Sequence, residues 1–480
     1  MCYTLHMVSD RQTDHNNQYK KNKIPSLIVL FMITVTGVVG AGVLVFLVYS
    51  SIVGRPNRGA KDSTRMEASA GDDGSSTYGI IGRSGPEPIS ADDPAVLGAQ
   101  SQASETEAEA DANATDVVAD NSYKARYPGV YERYGDDLDD PEYLAANKIY
   151  VLDSRDGDDS RVTITFGGDI LFDDEYAVTA KLKENGGEIS AGIDPALIGL
   201  MHSSDITMVN NEFPYSYGGT PTPDKTYTFR ADPPTVRYLN DMGVNAVGIA
   251  NNHAFDFGEQ AFADTLKTLE DAQIPYCGGG RNINEASAPL YFVVDDTKIG
   301  IIAATQIERN DYPDTRGATD TASGVFRCMN PSRLLSDITE ASAKCDYLVV
   351  FIHWGTESTN EIDWLQQDQA PKIAAAGADI IIGAHPHVLQ GITKSKGIPV
   401  FYSLGNFWFN SKDLDTGLAQ LTLSESEAGR PYLSSLRFIP CRQAGCRTRL
   451  ATAEESAQII ADMRAMSPGI TIDADGYVTY

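Results

Sequence analysis

The stretch that decides the fold reads Asp379-Ile380-Ile381-Ile382-Gly383-Ala384-His385-Pro386-His387. An apolar run of strand length leads directly into two histidines separated by one proline. In sheets built from alternating strands and helices, ligands bind outside the carboxyl ends of the strands. If the backbone stays extended, alternation points both imidazoles to the same side, and the proline stiffens that arrangement. The stretch predicts a buried strand that delivers two side chains of the commonest metal-ligand type to one sheet edge.

Four other apolar strands of the predicted sheets also end in polar side chains. The strand Val162–Phe166 ends in Gly167-Gly168-Asp169, and Ile206–Val209 ends in Asn210-Asn211-Glu212. The strand Ala246–Ala250 ends in Asn251-Asn252-His253, and Tyr347–Ile352 ends in His353-Trp354-Gly355. Each motif alone is a weak signal, and a lone Gly-Asp is usually a turn, but five strands together would bring carboxylate, amide and imidazole groups to one edge. Such mixed nitrogen and oxygen ligands suit a divalent metal of the Mn, Fe or Zn class.

The rest of this region alternates strand and helix signals. Further strands are predicted at Tyr291–Val294, Lys298–Ala303 and Val400–Ser403, and helices near 195–202, 234–242, 259–272, 331–342 and 364–376. This alternation predicts an α/β domain. Of the five histidines that follow residue 54, only His202 falls in a predicted helix away from the strand ends.

In this order, the motifs resemble those of the calcineurin-like metallophosphoesterases, and the fuller strings resemble the CapA (PgsA-like) family of poly-γ-glutamate capsule proteins more closely. These strings are Gly168-Asp169-Ile170, Asn211-Glu212, Asn251-Asn252-His253-Ala254-Phe255-Asp256, His353-Trp354-Gly355-Thr356-Glu357, Gly383-Ala384-His385-Pro386-His387-Val388 and Tyr402-Ser403-Leu404-Gly405-Asn406-Phe407. The resemblance covers residues 161–412. It implies a sandwich of two β-sheets flanked by helices, located outside the cell and involved in poly-γ-glutamate synthesis or export.

The resemblance also implies roles for individual residues. Metal-ligand positions match Asp169, Asn252, His353, His385 and His387, and Glu212 stands where the phosphoesterases use a bridging aspartate. His253 matches the histidine that contacts the leaving group or the transition state, as a general acid or electrostatically. Asp256 would orient His253 or cap the following helix, whereas Asn211, Glu357 and Asn406 are expected to support the ligands.

Two departures from the phosphoesterase pattern affect the expected chemistry. The first motif of those enzymes is Asp-x-His, and here its third position is Leu171; the bridging aspartate is replaced by the longer Glu212. One metal position has therefore lost a ligand, so we expect a single metal or a weakly held pair. We favour a metal-dependent hydrolase; the alternatives are a surface phosphoesterase unrelated to capsule and a non-catalytic scaffold subunit of a polymer synthase.

The chain organisation suggests a membrane-anchored protein. No charged residue occurs in 24–54, and a helix over its apolar run would span a bilayer core of about 30 Å; a cleaved signal peptide is the alternative. We predict a cytoplasmic tail (1–23), this anchor (24–54), a disordered acidic linker (55–122), an N-terminal extension (123–160), the main domain (161–440) and a less regular, peripheral C-terminal segment (441–480). The main domain of this single-pass cell-membrane protein would be extracellular.

Charge and cysteines restrict the partners. The net charge of −28 opposes binding to nucleic acid. Poly-γ-glutamate is also a polyanion, so binding it would require metal ions or a local basic patch; synthase subunits in the membrane are the other expected partners. The six cysteines form no Cys-x-x-Cys pair, which argues against a zinc ribbon. Cys441 and Cys446 are close enough for a small disulfide loop, or remain free thiols.

Overall fold

The computed structural model describes residues 122–155, 161–308 and 315–480. The predicted tail at 1–23, the predicted anchor at 24–54 and nearly all of the predicted linker at 55–122 lie outside these residues. Over the described ranges, the structure contains no helix with the length and apolar character needed to cross a membrane.

The α-helices of the described ranges are α1 Tyr123–Arg126, α2 Pro128–Tyr134, α3 Pro141–Ala146, α4 Ala177–Glu184, α5 Pro195–Ser203, α6 Arg237–Asp241, α7 Gly258–Asp271, α8 Ile283–Ser287, α9 Ser332–Ser342, α10 Trp364–Ala376 and α11 Ala453–Met466. Short 3₁₀ helices occupy Ile189–Ala191 and Pro233–Val236. All five predicted helices are confirmed, the one near 234–242 as a 3₁₀ turn followed by α6.

The strands are β1 Ile149–Leu152, β2 Arg161–Ile170, β3 Ile206–Asn211, β4 Ala246–Gly248, β5 Tyr276–Cys277, β6 Gly279–Gly280, β7 Leu290–Val294, β8 Thr297–Thr305, β9 Gly324–Val325, β10 Tyr347–His353, β11 Ile380–Ala384, β12 Leu389–Ser395, β13 Ile398–Leu404, β14 Asn406–Trp408, β15 Leu414–Glu425, β16 Pro431–Ala444, β17 Arg447–Leu450, β18 Thr471–Ile472 and β19 Val478–Thr479. Every strand predicted from the sequence is present.

Two large mixed sheets form the fold. One has the order β1-β7-β8-β10-β11-β13-β12, and the other has the order β17-β16-β15-β2-β3-β4-β5, with β14 pairing with β2. Their inner faces share one apolar core, in which the rings of Phe166 on β2 and Phe351 on β10 stack with centroids 6.0 Å apart. The predicted α/β fold with two packed sheets is therefore confirmed for the described residues.

Strand β10 shows how this core is divided. Val349 and Phe351 face the other sheet, whereas Leu348, Val350 and Ile352 belong to a second cluster with residues of α9 and α10. Because successive side chains of a strand point to opposite faces, both faces are covered and the strand reads as a continuous apolar run. Such strands are rigid supports for polar side chains at their ends.

The N-terminal extension is part of the seven-stranded sheet. Its strand β1 pairs in parallel with β7 along the sheet edge. The buried Lys298 on β8 forms an ion pair with Asp136, and Arg133 on α2 forms one with Asp346 at 2.9 Å. The extension therefore covers what would otherwise be an open edge strand.

The C-terminal region differs from the sequence-based expectation. Strand β16 runs through the predicted boundary at 440/441, and residues of α11, β18 and β19 belong to the shared core, among them Ile459, Ile460 and Met463. Residues 441–480 are therefore not peripheral in the structure. Cys441 is buried, and the five cysteines within the described ranges are free thiols, so Cys441 and Cys446 form no disulfide.

Candidate metal centre

The Gly-Asp motif at the end of β2 is dictated by a close backbone contact. A Cβ atom on Gly168 would lie 1.8 Å from the carbonyl oxygen of Gly405, and the Asp169 amide donates a hydrogen bond to that oxygen at 3.2 Å. Only glycine permits this approach. The contact places Asp169 next to the turn that carries Asn406, so this motif is a site-building element and not a simple turn.

The two histidines after β11 do not follow an extended backbone, which corrects one expectation. Strand β11 ends at Ala384, and His385 and His387 have φ angles of +100° and +60°. Positive φ is uncommon for residues with a Cβ and is tolerated where the surroundings impose it, often at functional sites. The two rings still converge, with centroids 5.8 Å apart.

The side chain of His353, at the end of β10, marks the centre of the site. Its Nε2 atom lies 2.8 Å from Asn252 Oδ1, 3.0 Å from His385 Nδ1 and 3.5 Å from Glu212 Oε1. These four ligand-type atoms arise from four separate strand ends, and all four residues are buried. Burial, followed by the neighbouring imidazoles, holds the pKa of His353 and of His385 well below the ordinary value, which favours the neutral ligating form.

Two buried carboxylates lie beside these imidazoles. Asn210 Nδ2 donates to Asp169 Oδ1 at 2.7 Å and lies 3.3 Å from Glu212 Oε2. Among the described residues, Glu212 Oε1 has no hydrogen-bond partner although it is fully buried. Burial and the charge of Asp169 raise the pKa of Glu212 well above its ordinary value. An unpaired buried carboxylate oxygen aimed at imidazole nitrogens fits a site for a cation.

His387 connects this cluster with the loop after β13. Its Nδ1 atom lies 3.3 Å from Asp169 Oδ2 and 2.8 Å from Asn406 Oδ1. Burial lowers the pKa of His387, but Asp169 and Asn406 outweigh it and raise this pKa above the ordinary value. The predicted supporting role of Asn406 thus has a direct contact, and Asp169, Glu212 and His387 each place a ligand atom within 4.8 Å of the others.

His253 is held in a separate hydrogen-bonded chain. Its Nδ1 atom lies 2.6 Å from Asp256 Oδ2, and Lys225 Nζ lies 2.6 Å from Asp256 Oδ1. A carboxylate in this setting accepts, so Nδ1 carries the proton and the bare Nε2 faces Glu212 Oε1 at 3.9 Å. Burial lowers the pKa of His253. The neutral form suits acceptance of a proton or contact with a transition state better than the general-acid role named from the sequence.

Asp256 orients His253 and does not cap the following helix. Helix α7 begins after Phe257 and has no side-chain cap. Asp256 instead accepts hydrogen bonds from the amide of Phe229 at 2.7 Å and from Lys225, and the Phe229 ring packs against His253.

The contacts of two predicted supporting residues, Asn211 and Glu357, are unlike each other. The side-chain amide of Asn211 donates to the carbonyl of Phe213, whereas that of Asn210 donates to Asp169 and that of Asn251 donates to Asn210. Glu357 is exposed, and its carboxylate lies within 4.8 Å of ligand atoms of His385 and His387.

Two residues of the site were not assigned a role from the sequence: Asn210, which was named only as part of a polar strand end, and Lys225. Strand parity could have identified Asn210, because Ile206 and Met208 face the shared core and the next residue on that face is Asn210. Lys225 lies in the irregular segment between β3 and the 3₁₀ helix at Pro233–Val236. No local pattern marks it, since its partner Asp256 is 31 positions away.

Known proteins match this chain over the same region. The family model described as bacterial capsule synthesis protein PGA_cap matches residues 163–411. PGA biosynthesis protein CapA of Bacillus subtilis is 30% identical over 293 residues, covering 60% of this chain and 74% of that relative. Capsule biosynthesis protein CapA of Bacillus anthracis is 33% identical over 210 residues, covering 42% of this chain and 50% of that relative. The aligned part is thus only half of the second relative.

A more distant relative and two solved structures are also similar. A probable polyglutamine synthesis accessory protein of Mycobacterium tuberculosis is 24% identical, covering 53% of this chain and 70% of its own length. A putative 5'-nucleotidase of Staphylococcus aureus aligns with a TM-score of 0.37 and 16% identity over 58% of this chain and 54% of its own. Haemophilus influenzae NAD nucleotidase aligns with a TM-score of 0.35 and 13% identity over 66% and 57%.

The family match spans every strand end that contributes to the cluster, from Asp169 on β2 to Asn406 after β13. It also spans just over half of the 480 residues. The chain therefore belongs to the family of bacterial capsule synthesis proteins described as PGA_cap.

Proposed function

We propose that this protein works in poly-γ-glutamate capsule synthesis or export and that its two-sheet domain is a metal-dependent hydrolase. The expected substrate is an anionic amide polymer or a related envelope compound. Family membership and the names of the Bacillus relatives support the link to capsule. The activity itself is inferred from the geometry of the site.

One observation carries this proposal. Three ligand-type atoms lie 2.8 to 3.5 Å from His353 Nε2, namely Asn252 Oδ1, His385 Nδ1 and Glu212 Oε1. Among the described residues, the carboxylate oxygen has no hydrogen-bond partner in the protein. A divalent metal held by these residues, with Asp169 and His387 beside them, would supply Lewis acidity and activate water for hydrolysis.

The residues of the chain have their own part in such a reaction. His253 presents Nε2 to the cluster, and Asp256 fixes the orientation of the ring. Lys225 places a buried positive charge next to Asp256 and donates to the backbone carbonyl of Asn252 at 2.6 Å. These contacts hold a proton acceptor at a fixed place beside the metal ligands, which general base catalysis requires.

Because the protein has a large net negative charge, a bound metal would also help it to bind an anionic polymer. A protein with a net charge of −28 repels a polymer of glutamate through most of its surface field. A divalent cation in the cluster would provide local positive charge where the polymer must approach.

A non-catalytic accessory role is the second candidate. The observation that favours it is Leu171, which is fully buried in the apolar core where the resemblance expects a metal-binding histidine. An accessory subunit could keep the fold and bind polymer or synthase subunits after losing that ligand. The relatives named as accessory proteins are consistent with this role.

Metal analysis of the purified full-length protein, followed by substrate screening, tests the proposal. We expect bound divalent metal and metal-dependent cleavage of poly-γ-glutamate, with phosphate esters as the comparison substrates. Metal-dependent cleavage of phosphate esters alone would support the surface phosphoesterase. Absence of metal together with intact capsule formation would support the accessory role.

The membrane anchor remains part of the proposal. The uncharged stretch 24–54 is expected to hold the protein in the cell membrane with the main domain outside. Protease added to intact cells should release a soluble fragment containing the two-sheet domain. Complete protection of the protein in intact cells would contradict this topology.

A further inference from the structure

The loop that joins β10 to α10 lies directly against the turn that carries His385 and His387. The Ser358 amide donates to the carbonyl of Pro386 at 2.9 Å, and Asn360 Nδ2 donates to the carbonyl of Leu389 at 2.7 Å. Ser358 itself has a φ of +59°. These contacts hold the loop backbone at a fixed distance from the two histidines.

Glu357 is the residue of this loop that faces the imidazoles. One of its carboxylate oxygens and one ligand nitrogen each from His385 and His387 all lie within 4.8 Å of one another. Ligands of an ion with bond lengths of about 2.1 Å lie up to about 4.2 Å apart. Glu357 is exposed, so packing does not fix its side chain away from the two imidazoles.

The Glu357 carboxylate offers a substitute for a metal ligand that this chain lacks. The resemblance places a histidine two residues after Asp169, but Leu171 is there and its side chain is fully buried in the apolar core. An ion held by Asp169, Glu212 and His387 is therefore short of a ligand. His387 belongs both to this group and to the group with Glu357 and His385, so the Glu357 carboxylate lies next to a shared ligand and can add one donor.

We propose that Glu357 is a metal ligand that compensates for Leu171 and completes a divalent cation site together with His385 and His387. This inference rests on the proposed function, because it requires that the cluster binds metal. It goes further in assigning a role to an exposed acidic residue that lies on a loop and not at a strand end.

A matched control exists four residues further along the same loop. Glu361 is also exposed and acidic, but it is not part of any group of metal-ligating side chains among the described residues. Replacing either glutamate by glutamine removes one surface charge and preserves side-chain shape. A difference between the two variants therefore reports on ligation and not on net charge.

The experiment is a titration of the full-length protein, stripped of metal by a chelator, with Mn²⁺ and in parallel with Zn²⁺. Binding is followed by calorimetry, and by electron paramagnetic resonance for Mn²⁺. Even a supporting residue of a metal site contributes about 10–100-fold to affinity, so we expect Glu357→Gln to weaken at least one bound equivalent by at least about tenfold. Glu361→Gln should bind both metals as the wild type does, and the metal-free melting temperatures of all three proteins should agree.

The possible outcomes separate this inference from the proposed function. If wild type and Glu357→Gln bind both metals with equal affinity and stoichiometry while His385→Ala loses metal, Glu357 is not a ligand but the metal centre stands. If wild type binds neither metal, both the metal centre and the role of Glu357 are rejected. If Glu361→Gln weakens binding as much as Glu357→Gln, the effect is one of surface charge and the inference is wrong.

Discussion

Two of the regions that contain buried carboxylates differ in the partners of those carboxylates. In the N-terminal extension, Asp136 is paired with Lys298 and accepts a hydrogen bond from Tyr143 at 2.8 Å. At the strand ends, Glu212 and Asp169 lie close together, and Oε1 of Glu212 has no hydrogen-bond partner among the described residues. The first region contains its own counter-charge, whereas in the second the pKa values of His353 and His385 are lowered by burial and that of His387, beside Asp169, is raised.

A structural ion pair can thus be distinguished from a ligand site by the partners of its carboxylates. A buried charge is tolerated when it is paired and hydrogen-bonded. A buried carboxylate cluster without a full set of counter-charges in the protein is suited to an added cation. The extension is therefore a structural tie, and the strand-end cluster is the candidate site for a cation.

The largest expected effect is the loss of the structural tie. Lys298→Met leaves Asp136 buried without its cation, which should lower the free energy of unfolding by about 3–5 kcal/mol. Denaturant unfolding of the full-length protein measures this change. The exposed pair of Arg126 and Asp153 is the control, and Arg126→Met should change stability little. If both substitutions lowered the free energy of unfolding equally, the buried pair of Asp136 and Lys298 would contribute no more than the exposed pair.

The second expected effect has the opposite sign in the absence of metal. Glu212→Gln removes a carboxylate whose charged form is disfavoured by burial and by Asp169. The metal-free variant should be as stable as metal-free wild type, or more stable. Metal at 100 times its dissociation constant should stabilise the wild type by about 2.7 kcal/mol and the variant much less. Strong destabilisation of the metal-free variant would show that Glu212 already has a stabilising partner.

The third expected effect is a loss of metal affinity as the pH falls. The pKa values of Glu212 and His387 are raised, so protons compete with a metal for these groups at higher pH than they would at the free side chains. Affinity is therefore high above the raised pKa of His387, which lies above the ordinary imidazole value of about 6.5, and decreases as the pH drops through it. Each displaced proton should lower affinity by about tenfold per pH unit, which metal titrations at several pH values measure. Affinity that does not change with pH would contradict ligation by these groups.

Much of the fold could be predicted because its central strands are buried on both faces. Runs such as Tyr347–Ile352 are apolar throughout and end abruptly in polar residues, so both their extent and their functional ends are visible in the sequence. Strands β15 and β16 were missed because polar residues interrupt their apolar pattern, namely Gln420 and Thr422 on β15 and the paired Arg437 and Ser435 on β16. Their pairing over twelve positions is decided by long-range contact.

The candidate site shows the same division between local and long-range information. Asp169, His353 and His385 follow strand ends and could be named from the sequence. Lys225 could not, because its position depends on how an irregular segment packs against Asp256. The left-handed backbone at His385 and His387 was also hidden, since the neighbouring loops impose it and no glycine marks it.

The smallest expected effect on metal binding concerns His253. This residue lies beside the cluster, but its partner Asp256 is already paired with a cation of the protein. Its partner Asp256 already has a buried cation, Lys225, at 2.6 Å, as Asp136 has Lys298. We therefore expect His253→Ala to keep the metal content and affinity of the wild type, and any metal-dependent hydrolysis to fall sharply because the oriented proton acceptor is lost. Lys225→Met should also retain metal but lose part of the activity, since Asp256 would hold His253 less firmly. Metal analysis and hydrolysis are measured on the same preparations, with His202→Ala as the control, because His202 lies on the exposed surface of α5. Loss of metal from His253→Ala would show that His253 is a ligand and that it belongs to the strand-end cluster.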